Sequence, residues 1–157
     1  TSGVDAVLTY PLESSLGITT ASLSYGFNER EFESDPSGYL NAEGQYDAVN
    51  FEPDTRAMLT IKHTWDDYAL MIRTSYWGES SNYQSGRTQD FDPVSMTDLQ
   101  FTYYGDLFSL TFGGMNVFDE YPEEDEIGDY CCGRIYPSIS TISWQGANWY
   151  MSVTKEL

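Results

Sequence analysis

The chain has 157 residues, with 25 acidic against 7 basic and a net charge of −18. That balance excludes nucleic-acid binding, which needs clustered Lys and Arg against phosphate, and a polybasic membrane-surface module. Aromatic residues make up 16% of the chain, which fits a β-rich protein or one with aromatic girdles at a membrane interface.

No apolar run is long enough for a transmembrane helix. A spanning strand needs only about 9–11 residues with alternating apolar positions. The abrupt start at Thr1-Ser2-Gly3-Val4-Asp5 enters strand-like alternation directly and suggests a fragment or processed product.

Period-two alternation predicts seven strands. The first, Gly3 to Pro11, places Val4, Ala6, Leu8 and Tyr10 on one face. The second, Ile18 to Asn28, sets Ala21, Leu23, Tyr25 and Phe27 opposite Thr20, Ser22, Ser24 and Gly26. Arg56 to Trp65 sets Ala57, Leu59, Ile61, His63 and Trp65 against Met58, Thr60, Lys62 and Thr64. Tyr68 to Gly78 sets Leu70, Ile72, Thr74 and Tyr76 against Ala69, Met71, Arg73, Ser75 and Trp77. Thr97 to Tyr104 and Leu107 to Phe118 follow, and Ala147 to Leu157 closes the chain.

The second face is mostly Ser, Thr, Gly and Gln with isolated charges such as Lys62, Arg73 and Asp98. A soluble sheet wets its outer face with charged residues, whereas a barrel wall in lipid has a polar lumen behind it. The connections also sort by length. Leu12 to Gly17, Asp66-Asp67 and Gly105-Asp106 are short; Glu29 to Thr55, Glu79 to Met96 and Asp119 to Gly146 are long and polar. Short periplasmic turns and long extracellular loops mark an outer-membrane barrel. The expected fold is all-β, an antiparallel up-and-down meander of about seven strands.

Gly113-Gly114-Met115-Asn116-Val117-Phe118-Asp119-Glu120-Tyr121-Pro122 resembles the G-x-x-N-L-F-D-x-x-P ending of the penultimate strand in TonB-dependent receptors. Tyr136-Pro137-Ser138 and Asn148-Trp149-Tyr150 resemble that family's closing segment. Gly3-Val4-Asp5 and Pro53-Asp54-Thr55-Arg56 look like its strand starts. The resemblance implies that residues 1–157 are the C-terminal segment of a 22-stranded transmembrane β-barrel, with neither plug domain nor TonB box in this chain. It implies TonB-coupled uptake of a scarce small-molecule nutrient, a metal chelate or an oligosaccharide. Its partners would be the rest of the barrel and plug, outer-membrane lipid, and the TonB complex through N-terminal residues outside this chain. The place implied is the bacterial outer membrane, long loops extracellular. The ending Thr154-Lys155-Glu156-Leu157 departs from the family's terminal aromatic residue.

Two other architectures fit the alternation. A small complete outer-membrane barrel needs an even strand number from eight upward, hence an eighth strand within Glu29 to Thr55. A soluble secreted β-sandwich binding module is the second.

Within the family-like motif, Asn116, Phe118, Asp119, Tyr121 and Pro122 read as structural. A side-chain amide or carboxylate at a strand end hydrogen-bonds the departing backbone, and Pro122 cannot continue a ladder. Phe118 and Tyr121 are expected at the membrane rim. Trp77, Tyr83, Arg87 and Phe91 in or beside the second long loop are the ligand-contact candidates. The acidic run from Asp119 to Asp129 is expected to be a solvated loop, with Glu123, Asp125 and Asp129 as calcium candidates. His63 lies on the apolar face and has no second histidine beside it. Neither a catalytic motif nor a cofactor motif is present, and the adjacent Cys131 and Cys132 leave the redox compartment open.

Overall fold

The computed structural model describes residues 1–127, 135–137 and 142–155. The alternating segments form β1 (Ser2–Ser14), β2 (Gly17–Glu29), β3 (Thr55–Trp65), β4 (Tyr68–Trp77), β7 (Val94–Tyr104), β8 (Phe108–Met115) and β9 (Asn148–Lys155). They make one antiparallel sheet in the order β1-β2-β3-β4-β7-β8-β9. Between them lie a helix, α1 (Ala42–Asn50), and a separate hairpin of β5 (Ser80–Gln84) and β6 (Arg87–Phe91).

The register sorts the side chains cleanly. Leu8, Leu23, Leu59 and Thr74 lie in one row across the sheet; Ile61, Ile72 and Leu99 form the next. His63, Leu70, Phe101, Phe112 and Met151 form a third. On the reverse side the rows read Thr9, Ser22, Thr60, Arg73 and Asp98, then Lys62, Met71, Gln100, Gly113 and Tyr150. Hydroxyl pairs Thr9–Ser22 and Thr102–Thr111, each at 3.1 Å, and the Tyr150 hydroxyl donating to Gln100 Oε1 knit this polar face together.

The apolar face is left uncovered. Leu59, Ile72 and Phe101, all inside the sheet, are 41%, 39% and 40% exposed. Among the described residues only Ala69, Ile127 and Ile142 are buried aliphatic side chains. Single exposed apolar residues are ordinary, but a contiguous apolar face of this extent on a water-soluble protein is not. No second sheet packs on it among the described residues, so the sandwich architecture does not form.

Aromatic rings gather at the short-turn end of that face. His63 stacks on Trp65 with centroids at 5.3 Å, and Tyr68 joins Trp65, Phe101 and Tyr103 at 5.8, 5.8 and 5.3 Å. Tyr76 and Tyr25 mark the opposite border, paired through Ala57. Tyr68 and Tyr76 are roughly 27 Å apart along β4 at about 3.4 Å per residue. With a strand tilt near 45° that is roughly 20 Å of height, comparable with the roughly 25 Å apolar band of a transmembrane barrel.

Turn lengths follow the expectation. β1–β2, β3–β4 and β7–β8 close tightly at one end, and the three long connections lie at the other. Gly17 and Asp66 adopt positive φ, 124° and 43°, in the first two tight turns. At Gly17 an added Cβ would collide with the Thr64 carbonyl.

Three differences stand out. The connection between β2 and β3 holds α1 where an eighth strand would have completed a small barrel. The second long loop is ordered as a hairpin, turned by Ser85 and Gly86 at φ 54° and 81°, the both-positive pattern of a type I′ turn. The expected sixth strand stops at Met115 instead of Phe118, because Asn116 takes φ 50° and Val117 N–H donates to Thr97 O at 2.8 Å.

The two faces differ in what they tolerate. Ile72→Arg, on the apolar face, is expected to destabilise the barrel by about 2–4 kcal/mol in a bilayer, and Ser24→Lys, on the polar face, by well under half of that. Denaturant titration of the native polypeptide in lipid vesicles measures both; equal losses would show that the faces are misassigned.

Candidate functional site

The long-loop end is an assembly with its own interactions. Asn41 caps α1, its Oδ1 accepting from Gly44 N–H at 2.8 Å, as a short polar side chain does at an exposed helix start. The helix then docks on the hairpin. Tyr46 packs against Tyr83 at 5.7 Å, its hydroxyl bonds Ser81 Oγ at 2.8 Å, and Asp47 Oδ1 accepts from Tyr83 N–H at 2.9 Å.

The hairpin in turn holds the acidic third loop. Gln89 Nε2 donates to Glu124 O at 2.7 Å while its Oε1 accepts from Glu126 N–H at 2.8 Å. One side-chain amide thus pairs with that segment as a peptide group of a neighbouring strand would. Asp92 N–H donates to Glu123 Oε2 at 3.1 Å, and Arg87 reaches Ile127 O at 3.5 Å. Nearer the wall, Arg30 bridges Glu52 and Asp54 at 3.0 and 3.6 Å. These pairs are half-exposed, so each contributes only about 0–1 kcal/mol.

A cavity of about 220 Å³ opens where the three loops meet the sheet. Trp77 and Val94, register partners on the polar face at the ends of β4 and β7, form its base. Phe51 and Pro53 line one side, Phe91 and Pro93 the next, and Tyr121, Pro122 and Pro137 the third. Carboxylate-bearing Asp92, Glu120 and Glu123 stand at the rim, and among the described residues no Lys, Arg or His lines it.

Of the ligand-contact candidates, Trp77 and Phe91 meet in this cavity. Tyr83 and Arg87 do not: one holds α1 to the hairpin and the other reaches the third loop. Phe51, Pro53, Pro93 and Pro137 also line it, and sequence patterns did not single them out.

The family-like motif builds a tight reversal at the exit of β8. Asn116 is buried at 5% exposure. Its Nδ2 donates to Glu120 O at 2.7 Å and its Oδ1 accepts from Glu120 N–H at 3.0 Å, closing a ring around the turn. Its own N–H donates to Asp98 Oδ1 at 3.0 Å, anchoring the ring to β7. Asp119, at φ 62°, accepts through Oδ1 from Ala147 N–H at 2.8 Å and from the Tyr121 hydroxyl at 3.2 Å. The motif therefore clasps the exit of β8 to the entry of β9. Phe118 and Tyr121 are 71% and 43% exposed. Tyr121 stacks on Tyr136 at 6.3 Å and lines the cavity beside Pro122.

The two calcium candidates within the described residues are each engaged with backbone N–H groups. Glu123 is turned to Asp92 N–H, and Asp125 Oδ1 accepts from Ile127 N–H at 3.2 Å. Among the described residues no group of three or more His, Cys, Asp or Glu could hold a metal ion. Asp129, Cys131 and Cys132 lie outside the described residues. His63 sits on the apolar face, bonded through Nδ1 to Thr19 Oγ1 at 2.8 Å.

No family model matches the chain, and no curated protein matches it. Among solved structures it is similar to a single-substitution variant of the ferric enterobactin receptor of Pseudomonas aeruginosa. The TM-score is 0.61 at 18% identity over 98% of this chain, and the match covers 22% of that receptor. The likeness establishes the fold: the seven-stranded antiparallel sheet has the architecture of one region of that receptor. The chain spans about a fifth of that receptor's length.

Two measurements probe the clasp. Asn116→Ala removes both bonds to Glu120 and places alanine at positive φ; it is expected to cost about 1–3 kcal/mol and to raise protease cleavage between Asn116 and Ala147. Unchanged cleavage would refute the ring as a fastening.

The Asp119 carboxylate accepts the Tyr121 proton and its negative charge opposes the phenolate, which raises the Tyr121 hydroxyl above its usual value near 10. A raised folded value means that this contact stabilises the loop below the unfolded tyrosine range. The stabilisation fades as pH climbs through the folded value. Asp119→Asn is therefore expected to lower the Tyr121 midpoint in ultraviolet difference titration, the assignment made with Tyr121→Phe.

Proposed function

We propose that residues 1–157 form the C-terminal segment of a TonB-dependent receptor, 22-stranded when intact, that takes up a scarce small-molecule nutrient across the bacterial outer membrane. One observation carries this reading: an uncovered apolar face with an aromatic border belongs to the same sheet that gathers three interlaced loops around a cavity at one end. A face of that kind is stable against lipid, and loops of that kind are built for capture from outside.

The open edges of β1 and β9 join the remaining strands. The plug covers the polar face, where Arg73 Nε is buried with no hydrogen-bond partner among the described residues. Coupling to the TonB complex runs through an N-terminal segment of the whole polypeptide. The nutrient is a metal chelate or an oligosaccharide. Trp77 and Phe91, with Tyr121, Pro122 and Glu123, make first contact with it, while Tyr83 and Arg87 hold the loops in place. No chemistry is performed on the solute, and the chain acts without a cofactor. The long loops face the medium and the short turns face the periplasm.

Topology and energy coupling are tested together. In intact cells producing the native polypeptide, an epitope inserted after Gly86 is expected to bind antibody from outside, and one after Asp67 only after the outer membrane is opened. Accumulation of the nutrient, screened among iron chelates and oligosaccharides under limitation, is expected to stop when the proton-motive force is collapsed, while surface binding persists. Accumulation that continues without energy would indicate a passive pore instead.

A further inference from the structure

Charge is distributed unevenly over this molecule, and the cavity sits where the imbalance is greatest. Seven acidic residues lie in residues 30–54, three in 78–93 and seven in 116–147, against only Arg30, Arg87 and Arg134. Arg30 is committed to Glu52 and Asp54, and Arg87 reaches Ile127 O on the hairpin. The cavity itself combines the rings of Trp77, Phe91 and Tyr121 with the carboxylates of Asp92, Glu120 and Glu123. Pro53, Pro137 and Ile142 add buried apolar lining.

We infer that this cavity binds a positively charged group carried on an apolar or aromatic body, and discriminates against anionic solutes. The inference rests on the receptor reading and names the ligand chemistry of that same site. An anion entering would lose water to apolar walls and meet three carboxylates with no compensating cation among the described lining residues, which is costly. A cation meets the negative faces of the rings, an attraction that strengthens as the site is desolvated. The carboxylates and the acidic loops above add a field that raises the local concentration of cations.

Glu123 has a second role in this arrangement. By accepting from Asp92 N–H it ties two walls together at 3.1 Å and fixes its own carboxylate at the rim. The volume of about 220 Å³ lies below the roughly 300–1,000 Å³ of a pocket for a drug-sized ligand. The cavity therefore grips one ring or one charged group, and the rest of a larger nutrient lies outside it.

The test uses the native polypeptide carrying this segment, purified in detergent, and three probes with one aromatic body: benzyltrimethylammonium, benzyl alcohol and phenylacetate. Quenching of tryptophan fluorescence reports binding. Benzyltrimethylammonium is expected to bind roughly 2- to 30-fold more tightly than benzyl alcohol, the range a cation over aromatic faces provides, with phenylacetate weakest. Its advantage is expected to shrink as salt screens the rim, to fall in the Glu120→Gln, Glu123→Gln double variant, and to vanish in Trp77→Ala but not Trp77→Phe. Heat-modifiable gel mobility of each variant confirms a folded barrel.

Equal binding of the three probes, a preference for phenylacetate, or no saturable binding to a folded barrel overturns the inference and leaves the receptor reading standing. A polypeptide that fractionates away from the outer membrane overturns the receptor reading.

Discussion

A backbone exposed to hydrocarbon must find all its hydrogen-bond partners within the protein, since an unmet amide there costs several kcal/mol. In this chain that requirement is met sideways, strand to strand, through registers unbroken over as many as thirteen residue pairs. Once the backbone is satisfied laterally, the side chains on one face are free to be wholly apolar. The rows running from Leu8 to Leu59 and from His63 to Met151 follow from that freedom. So does the poverty of buried aliphatic residues among the described ones, since a single-layer sheet has no interior of its own to fill.

The wall also explains the paired glycines of β8. An added Cβ at Gly113 would strike the Tyr150 ring, and one at Gly114 would strike Trp149. Removing both side chains lets β9 lay an aromatic ring across each face of its neighbour, covering backbone that a glycine would otherwise expose. The same pair leads directly into Asn116, so a flat, aromatic-covered stretch of wall precedes the reversal that ends it. The loops obey a different physics. Their order comes from side chains that stand in for backbone: Gln89 between two peptide groups, Asn116 around Glu120, and Asp47 under Tyr83.

The wall was legible in the sequence because period-two patterning is a property of consecutive residues, and each of its seven strands lies where alternation placed it, give or take a few residues at the ends. The loop elements were not, for identifiable reasons. Helix α1 carries no apolar stripe, only the Asn41 cap to announce it. The β5–β6 hairpin has a polar sequence, so alternation is faint, and the Ser85-Gly86 dipeptide was its one local signal. Trp77 and Phe91 could be singled out as aromatic residues in a polar loop. Phe51, Pro53 and Pro137 could not, because only the convergence of three distant connections brings them to one cavity. Gln89 was equally hidden, since nothing in its neighbourhood reveals that its partners are 35 and 37 residues away.

The ring closed by Asn116 has a bearing on how such a molecule varies over generations. It fastens the departure of β8 to β7, and through Asp119 to the arrival of β9, before the third loop has properly begun. Whatever is inserted, deleted or rewritten beyond Glu120 therefore meets a boundary that is already closed, and the strand registers behind it are insulated from the change. Changes of length or sequence in that stretch can therefore accumulate without renegotiating the wall.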